Sequence, residues 1–199
     1  MSIRKQPQAG FTLVELVISM VLISIIGTTF LVMFKSTLFD YLNLQHDASS
    51  LTQLEYQSAR ITKVLRTVTN IDSADSSDIT AYAYFYPSDS YVSRIHYYLQ
   101  TSGKDMQLLI DVTPMTSNPP VGTPIESAKK TYVIIDEFYQ PLNTPLFTYL
   151  DIANVPISAP VGAPASIKAI QVNLAAETAS GGNQAINLQV SLRNRKINL

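Results

Sequence analysis

The chain has 199 residues, with 14 Lys+Arg against 15 Asp+Glu for a formal net charge of −1, and no cysteine. That length fits one domain, or one domain plus an anchor, and the missing cysteine excludes disulfides, thiol nucleophiles, thiolate zinc sites and iron–sulfur clusters. Charged residues are 15% and mean hydropathy is +0.13, which argues against disorder and toward membrane attachment, while the neutral balance gives no general field for drawing in nucleic acid.

The first ten residues read MSIRKQPQAG. Arg4 and Lys5 give a basic start, but the small residues Ala9 and Gly10 precede the apolar run, whereas a secretory signal places them after it. A cut after Gly10 would remove the leader, keep the apolar helix and create an α-amine on Phe11, four residues before Glu15. Residues 11–34, FTLVELVISMVLISIIGTTFLVMF, contain seventeen large apolar side chains in twenty-four, and Glu15 is the one charge. About 20 such residues at roughly 1.5 Å rise each cross the hydrocarbon core. A membrane helix is therefore expected, with a buried core helix as the alternative. Arg4 and Lys5 before the span, against Lys35 offset by Asp40 and Asp47 after it, place the N-terminus in the cytoplasm by the positive-inside rule.

A carboxylate at this depth costs on the order of 3 kcal/mol, so Glu15 is a candidate functional residue. Either it reaches for the headgroups from the helix end, or an N-terminal ammonium on Phe11, at i−4 on the same helix face, neutralises it. The run Gly10-Phe11-Thr12-Leu13-Val14-Glu15-Leu16, behind a short basic leader and ahead of an apolar helix, resembles the class III signal of type IV prepilins and type II secretion pseudopilins. The resemblance implies that a prepilin peptidase cuts Gly10–Phe11 on the cytoplasmic side and N-methylates Phe11. It implies as partners other pilins or pseudopilins along the N-terminal helix, an inner-membrane assembly platform, and membrane lipid. Glu15 then becomes a register device, paired first with its own amine and later with a neighbour's in the filament.

No proline falls between residues 8 and 86, and interior proline is what most strongly breaks a helix. Leu51, Leu54, Ser58, Ile61, Leu65 and Val68 follow 3-4-3-4-3 spacing, one amphipathic stripe suited to a coiled-coil seam or to packing on a sheet. A helix from residue 11 to about 69 would be about 88 Å long. The polar run 70–78, NIDSADSSD, reads as its stop. Asp72, Asp75 and Asp78 offer oxygen ligands there, but their spacing does not match an EF-hand loop.

Beyond this point the sequence changes to short apolar runs between Pro, Ser, Asn and Gly. Segments 79–86, 91–100, 106–112, 131–139, 145–150, 166–175 and 184–193 read as strands, with hairpin turns at 101–105 and 179–183 and Pro-rich loops at 113–124 and 154–164. The fold class expected is α+β: a long N-terminal helix whose outer half packs on an antiparallel sheet. The same architecture is implied by the pilin resemblance. The divisions are leader 1–10, assembly helix 11–34, outer helix 35–70 and sheet domain 71–199.

Tyr82, Tyr84 and Tyr86 alternate along 79–86, a tyrosine face that would stack on bases or sugars, or simply half-bury in a sheet. Arg193, Arg195 and Lys196 cluster near the end, either as a phosphate contact or as a solvated strand end. His96 reads as a core-edge histidine. No hydrolase, zinc-protease, P-loop or dinucleotide signature occurs, so no catalytic residue, cofactor or metal is assigned. The run 189–195, QVSLRNR, resembles J/W-type minor pilins or pseudopilins. The function expected is a minor pilin or pseudopilin that joins, initiates or caps a type IV pilus or type II secretion-like filament. The competing reading is a pilus-anchored adhesin or a DNA-binding receptor for uptake.

Overall fold

The computed structural model describes residues 10, 12–102, 105–140, 144–177 and 182–192. Phe11, the cluster Arg193, Arg195 and Lys196, and most of the turn expected at 179–183 lie outside the described residues. The chain forms two units, Met1–Gln45 and His46–Leu199.

Helix α1, Leu13–Arg66, is continuous over 54 residues. In the first unit its large apolar side chains, from Leu13 to Leu44, are exposed, an arrangement that water does not tolerate over so large a surface. The hydroxyls on this stretch turn inward to the helix itself. Ser19, Ser24, Thr28, Thr29 and Thr37 each donate to the carbonyl four residues back, at 2.7, 2.8, 2.7, 2.9 and 2.9 Å. A hydroxyl satisfied in this way carries no unmet polar demand into hydrocarbon. This is one helix long and apolar enough to cross a membrane.

In the second unit the helix is amphipathic. Leu54, Ser58, Ile61, Val64 and Leu65 are buried, as is Val68 just beyond it. The predicted stripe is thus realised except at Leu51, which is 36% exposed. The helix ends at Arg66, three residues before the predicted end at about 69. The Thr67 hydroxyl donates to Val64 O at 2.8 Å and accepts the N–H of Tyr84 at 3.0 Å, and Lys63 and Arg66 sit in the last turn, where cations suit the helix dipole.

Nine strands follow: β1 Asn70–Ala74, β2 Ile79–Ala83, β3 Ser93–Ser102, β4 Asp105–Pro114, β5 Lys130–Phe138, β6 Phe147–Leu150, β7 Pro156–Ile157, β8 Ala169–Glu177 and β9 Asn183–Ser191. They form two antiparallel sheets, a meander in the order β1-β2-β3-β4-β5 and a second sheet ordered β7-β6-β8-β9. The pleat alternates cleanly on β3. Ile95 and Tyr97, paired with Val112 and Ile110 of β4, are buried, while Arg94, His96 and Tyr98 point the other way. The helix residues Leu54, Ile61, Val64 and Leu65 join the buried faces of both sheets in one hydrophobic cluster. This is the α+β, pilin-like arrangement read from the sequence.

Four local expectations are corrected. The stretch 70–78 is more than a polar stop, because β1 occupies Asn70–Ala74. It is an edge strand that buries only Ile71 and Ala74 and is broken by a bulge, so its apolar signal is too sparse to read. A two-residue strand, β7, lies in the Pro-rich stretch 154–164. The strands divide between two sheets where one was expected. The tyrosine face also does not form, since β2 ends at Ala83. Tyr84 leaves the ladder to donate to Thr67, and Tyr86 donates its N–H to Asp89 Oδ2 at 2.9 Å in the following turn.

Candidate functional site

The helix begins at Thr12. Its carbonyl accepts the first helical N–H, from Leu16, at 3.1 Å, which makes Thr12 the N-cap residue. The Thr12 hydroxyl accepts the N–H of Glu15 at 3.3 Å, and Glu15 Oε2 accepts the N–H of Thr12 at 3.4 Å. The same hydroxyl also lies 3.4 Å from Oε2, as a donor. This reciprocal pattern is a capping box, in which two helix-end donors are satisfied by the pair of side chains. Thr12 was not singled out from the sequence, although the T-x-x-E spacing carried the signal.

The box gives Glu15 a direction. Its carboxylate is turned toward the N-terminal end of the helix, against the amide nitrogen of residue 12. That nitrogen is three covalent bonds from the backbone nitrogen of Phe11. Gly10 is exposed, and a Cβ built on it meets nothing within 4 Å. Around this carboxylate the helix surface is otherwise uncharged and apolar, with Leu13, Val14, Leu16 and Val17 all exposed.

The acidic run of the second unit has a structural use. Asp75 N–H donates to Asp78 O at 2.9 Å, closing the β1–β2 turn. Tyr149 of β6, fully buried, donates its hydroxyl to Asp75 O at 2.7 Å and Asp78 O at 3.1 Å. Among the described residues no three His, Asp or Glu side chains gather to hold a metal.

His96 has partners that the sequence did not disclose. Its Nε2 is 3.7 Å from Asp78 Oδ1, and its ring stacks on Tyr98 with centroids 4.8 Å apart. Beside it, the buried Asp111 lies 2.6 Å from Lys129 Nζ and accepts the Thr131 hydroxyl at 2.6 Å. Burial pushes the Asp111 carboxyl up, but the hydrogen bonds from Lys129 and Thr131 outweigh that and hold it below the usual carboxylate range. The same bond raises the Lys129 ammonium. This is a balanced ion pair on the solvent face of the meander.

Residues 5–31 match the family model described as the prokaryotic N-terminal methylation motif, which is the class III signal of type IV pilins and pseudopilins. The match covers Gly10, Thr12 and Glu15. No curated protein matches the chain. Among the described residues one helix is long and apolar enough to cross a membrane, and it carries this motif, as in the membrane-anchored subunits that the motif marks.

Proposed function

We propose that this chain is a minor pilin or pseudopilin, cut between Gly10 and Phe11 by a prepilin peptidase, N-methylated on Phe11, and taken through its N-terminal helix into a type IV pilus or type II secretion-like filament. One observation carries the reading. In a helix whose exposed apolar surface fits lipid, the methylation motif holds a single carboxylate, Glu15, turned toward the nitrogen end.

Cleavage would place an ammonium on Phe11, within a few bonds of the amide that Glu15 already accepts. The carboxylate would then compensate that charge in the bilayer, offsetting a cost on the order of 3 kcal/mol for a lone charge at such depth. On entry to a filament, the amine of the adjacent subunit replaces its own, which fixes the axial register. Arg4 and Lys5 hold the leader on the cytoplasmic side, and the sheet unit lies outside. A minor rather than a repeated subunit is favoured by the loop-rich sheet unit and by the QVSLRNR ending.

Glu15→Leu tests the register role. The variant should be cleaved and remain in the membrane but fail to enter filaments when expressed beside the other subunits. Glu15→Leu at wild-type abundance in purified filaments would remove the proposal.

A further inference from the structure

Where the predicted tyrosine face fails to form, a different aromatic site appears. A cleft of about 340 Å³ opens on the meander sheet, walled by Tyr86, Tyr91 and Tyr132 over a floor that includes Val112, Pro114 and Met115. That volume lies in the range of small-ligand sites. The wall is held in place from behind. Phe85, only 7% exposed, meets Tyr86 edge-on at 4.7 Å and stacks on Tyr132 at 5.5 Å. The hydroxyls of Tyr86 and Tyr132 stand 3.4 Å apart, a long contact, so it is the packing on Phe85 that orients both rings before any ligand arrives. Tyr86 and Tyr91 are nevertheless 46% and 48% exposed.

The polar groups of the cleft are unevenly committed. Asp89, the carboxylate of the lining, accepts the N–H of Tyr86 at 2.9 Å, which ties it to the turn while its charge stays in the lining with that of Lys130. Lys130 also lines the cleft, and behind the wall Arg60 lies over the Phe85 ring at 5.2 Å. Neither cation has an ion-pair partner among the described residues. Ser90 and Ser93 add hydroxyls.

We infer that this cleft binds an acidic saccharide, a pyranose ring carrying a carboxylate. The tyrosine rings offer faces for the C–H side of the sugar, the Tyr and Ser hydroxyls exchange hydrogen bonds with its hydroxyls, and the Lys130 ammonium meets its carboxylate. Rings fixed in advance spare the ligand the cost of ordering them. This recognition is separate from assembly and would let a filament subunit hold a charged glycan surface.

Full-length protein in lauryldimethylamine oxide micelles, titrated with trigalacturonate by calorimetry and saturation-transfer NMR, tests it. Trigalacturonate should bind. Its methyl ester, which keeps the rings and removes the charge, should bind about tenfold more weakly or worse, and Lys130→Met should cause the same loss. Tyr91→Ala, at an exposed position that leaves the core intact, should also weaken binding, whereas Lys63→Met on α1 should not. Failure of trigalacturonate to bind, equal affinity for acid and ester, or an unchanged Lys130→Met would overturn the inference. So would equal competition by triglutamate, which would make the cleft an acidic-peptide site.

Discussion

Tyr149→Phe should loosen the joint between the two sheets at a predictable cost. Tyr149 stands on β6 of the second sheet, with none of its surface exposed, and its hydroxyl reaches Asp75 O at 2.7 Å and Asp78 O at 3.1 Å in the β1–β2 turn of the first. Phenylalanine fills the same volume, so no cavity term enters. What is lost is a single proton shared by two carbonyls: Asp78 O keeps the N–H of Asp75, while Asp75 O loses this donor. A buried acceptor stripped of its partner costs about 1–3 kcal/mol. With about 2 kcal/mol as the central value, a protein of this size should melt about 4–8 °C lower. Burial, and then Asp78 and Asp75, push the Tyr149 hydroxyl far above the usual phenol range, so the loss should be the same at pH 5 and pH 8. Thermal melts followed by circular dichroism, with the exposed Tyr91→Phe as control, measure it. Tyr149→Phe melting with wild type would show that this bond does not hold the sheets together.

Leu65→Ala, at a site with no exposed surface, should destabilise the second unit by about 2–5 kcal/mol in urea unfolding, while Leu44→Ala, 69% exposed, should leave that transition unmoved. Asp111→Asn should cost on the order of 1 kcal/mol at pH 7, discounted because Lys129 is 45% exposed. The folded Asp111 carboxyl titrates below its unfolded value, near 3.9. Its contribution is therefore present above that value and is lost as pH falls through the folded one, so urea curves of wild type and Asp111→Asn should converge between about pH 5 and pH 2. Thr12→Val removes the hydroxyl half of the capping box. At about 1 kcal/mol, amide exchange at Glu15 and Leu16 should speed roughly fivefold, and Thr12→Ser should restore protection.

The parts of the fold that were readable share a physical reason: a long, regular periodicity that one surface enforces. Continuous apolarity over 11–34 and the 3-4 stripe from Leu54 to Val68 each repeat many times, and the structure keeps the stripe and, over the described residues 12–34, the apolar surface. The strands of the meander core were readable because Ile95, Tyr97, Ile110 and Val112 alternate on a buried face. Strand β1 was not, since an edge strand satisfies itself with two inward residues and polar neighbours. Position-specific partners were equally hidden. His96 meets Asp78 only because antiparallel pairing brings the β1–β2 turn beside β3, and Tyr86 reaches Tyr132 across forty-six positions of sequence. At the helix start, Glu15 was legible from its solitude in an apolar run, whereas Thr12 went unnoticed because threonine there passes for one more small residue.

The most direct measurement is the mass of the N-terminal peptide from protein recovered out of native filaments or membranes. Processing as proposed yields a chain that begins at Phe11 and carries one added methyl on its amine, with residues 1–10 gone. A chain in filaments that still begins at Met1 would contradict the account, because Glu15 would then have no terminal ammonium to meet.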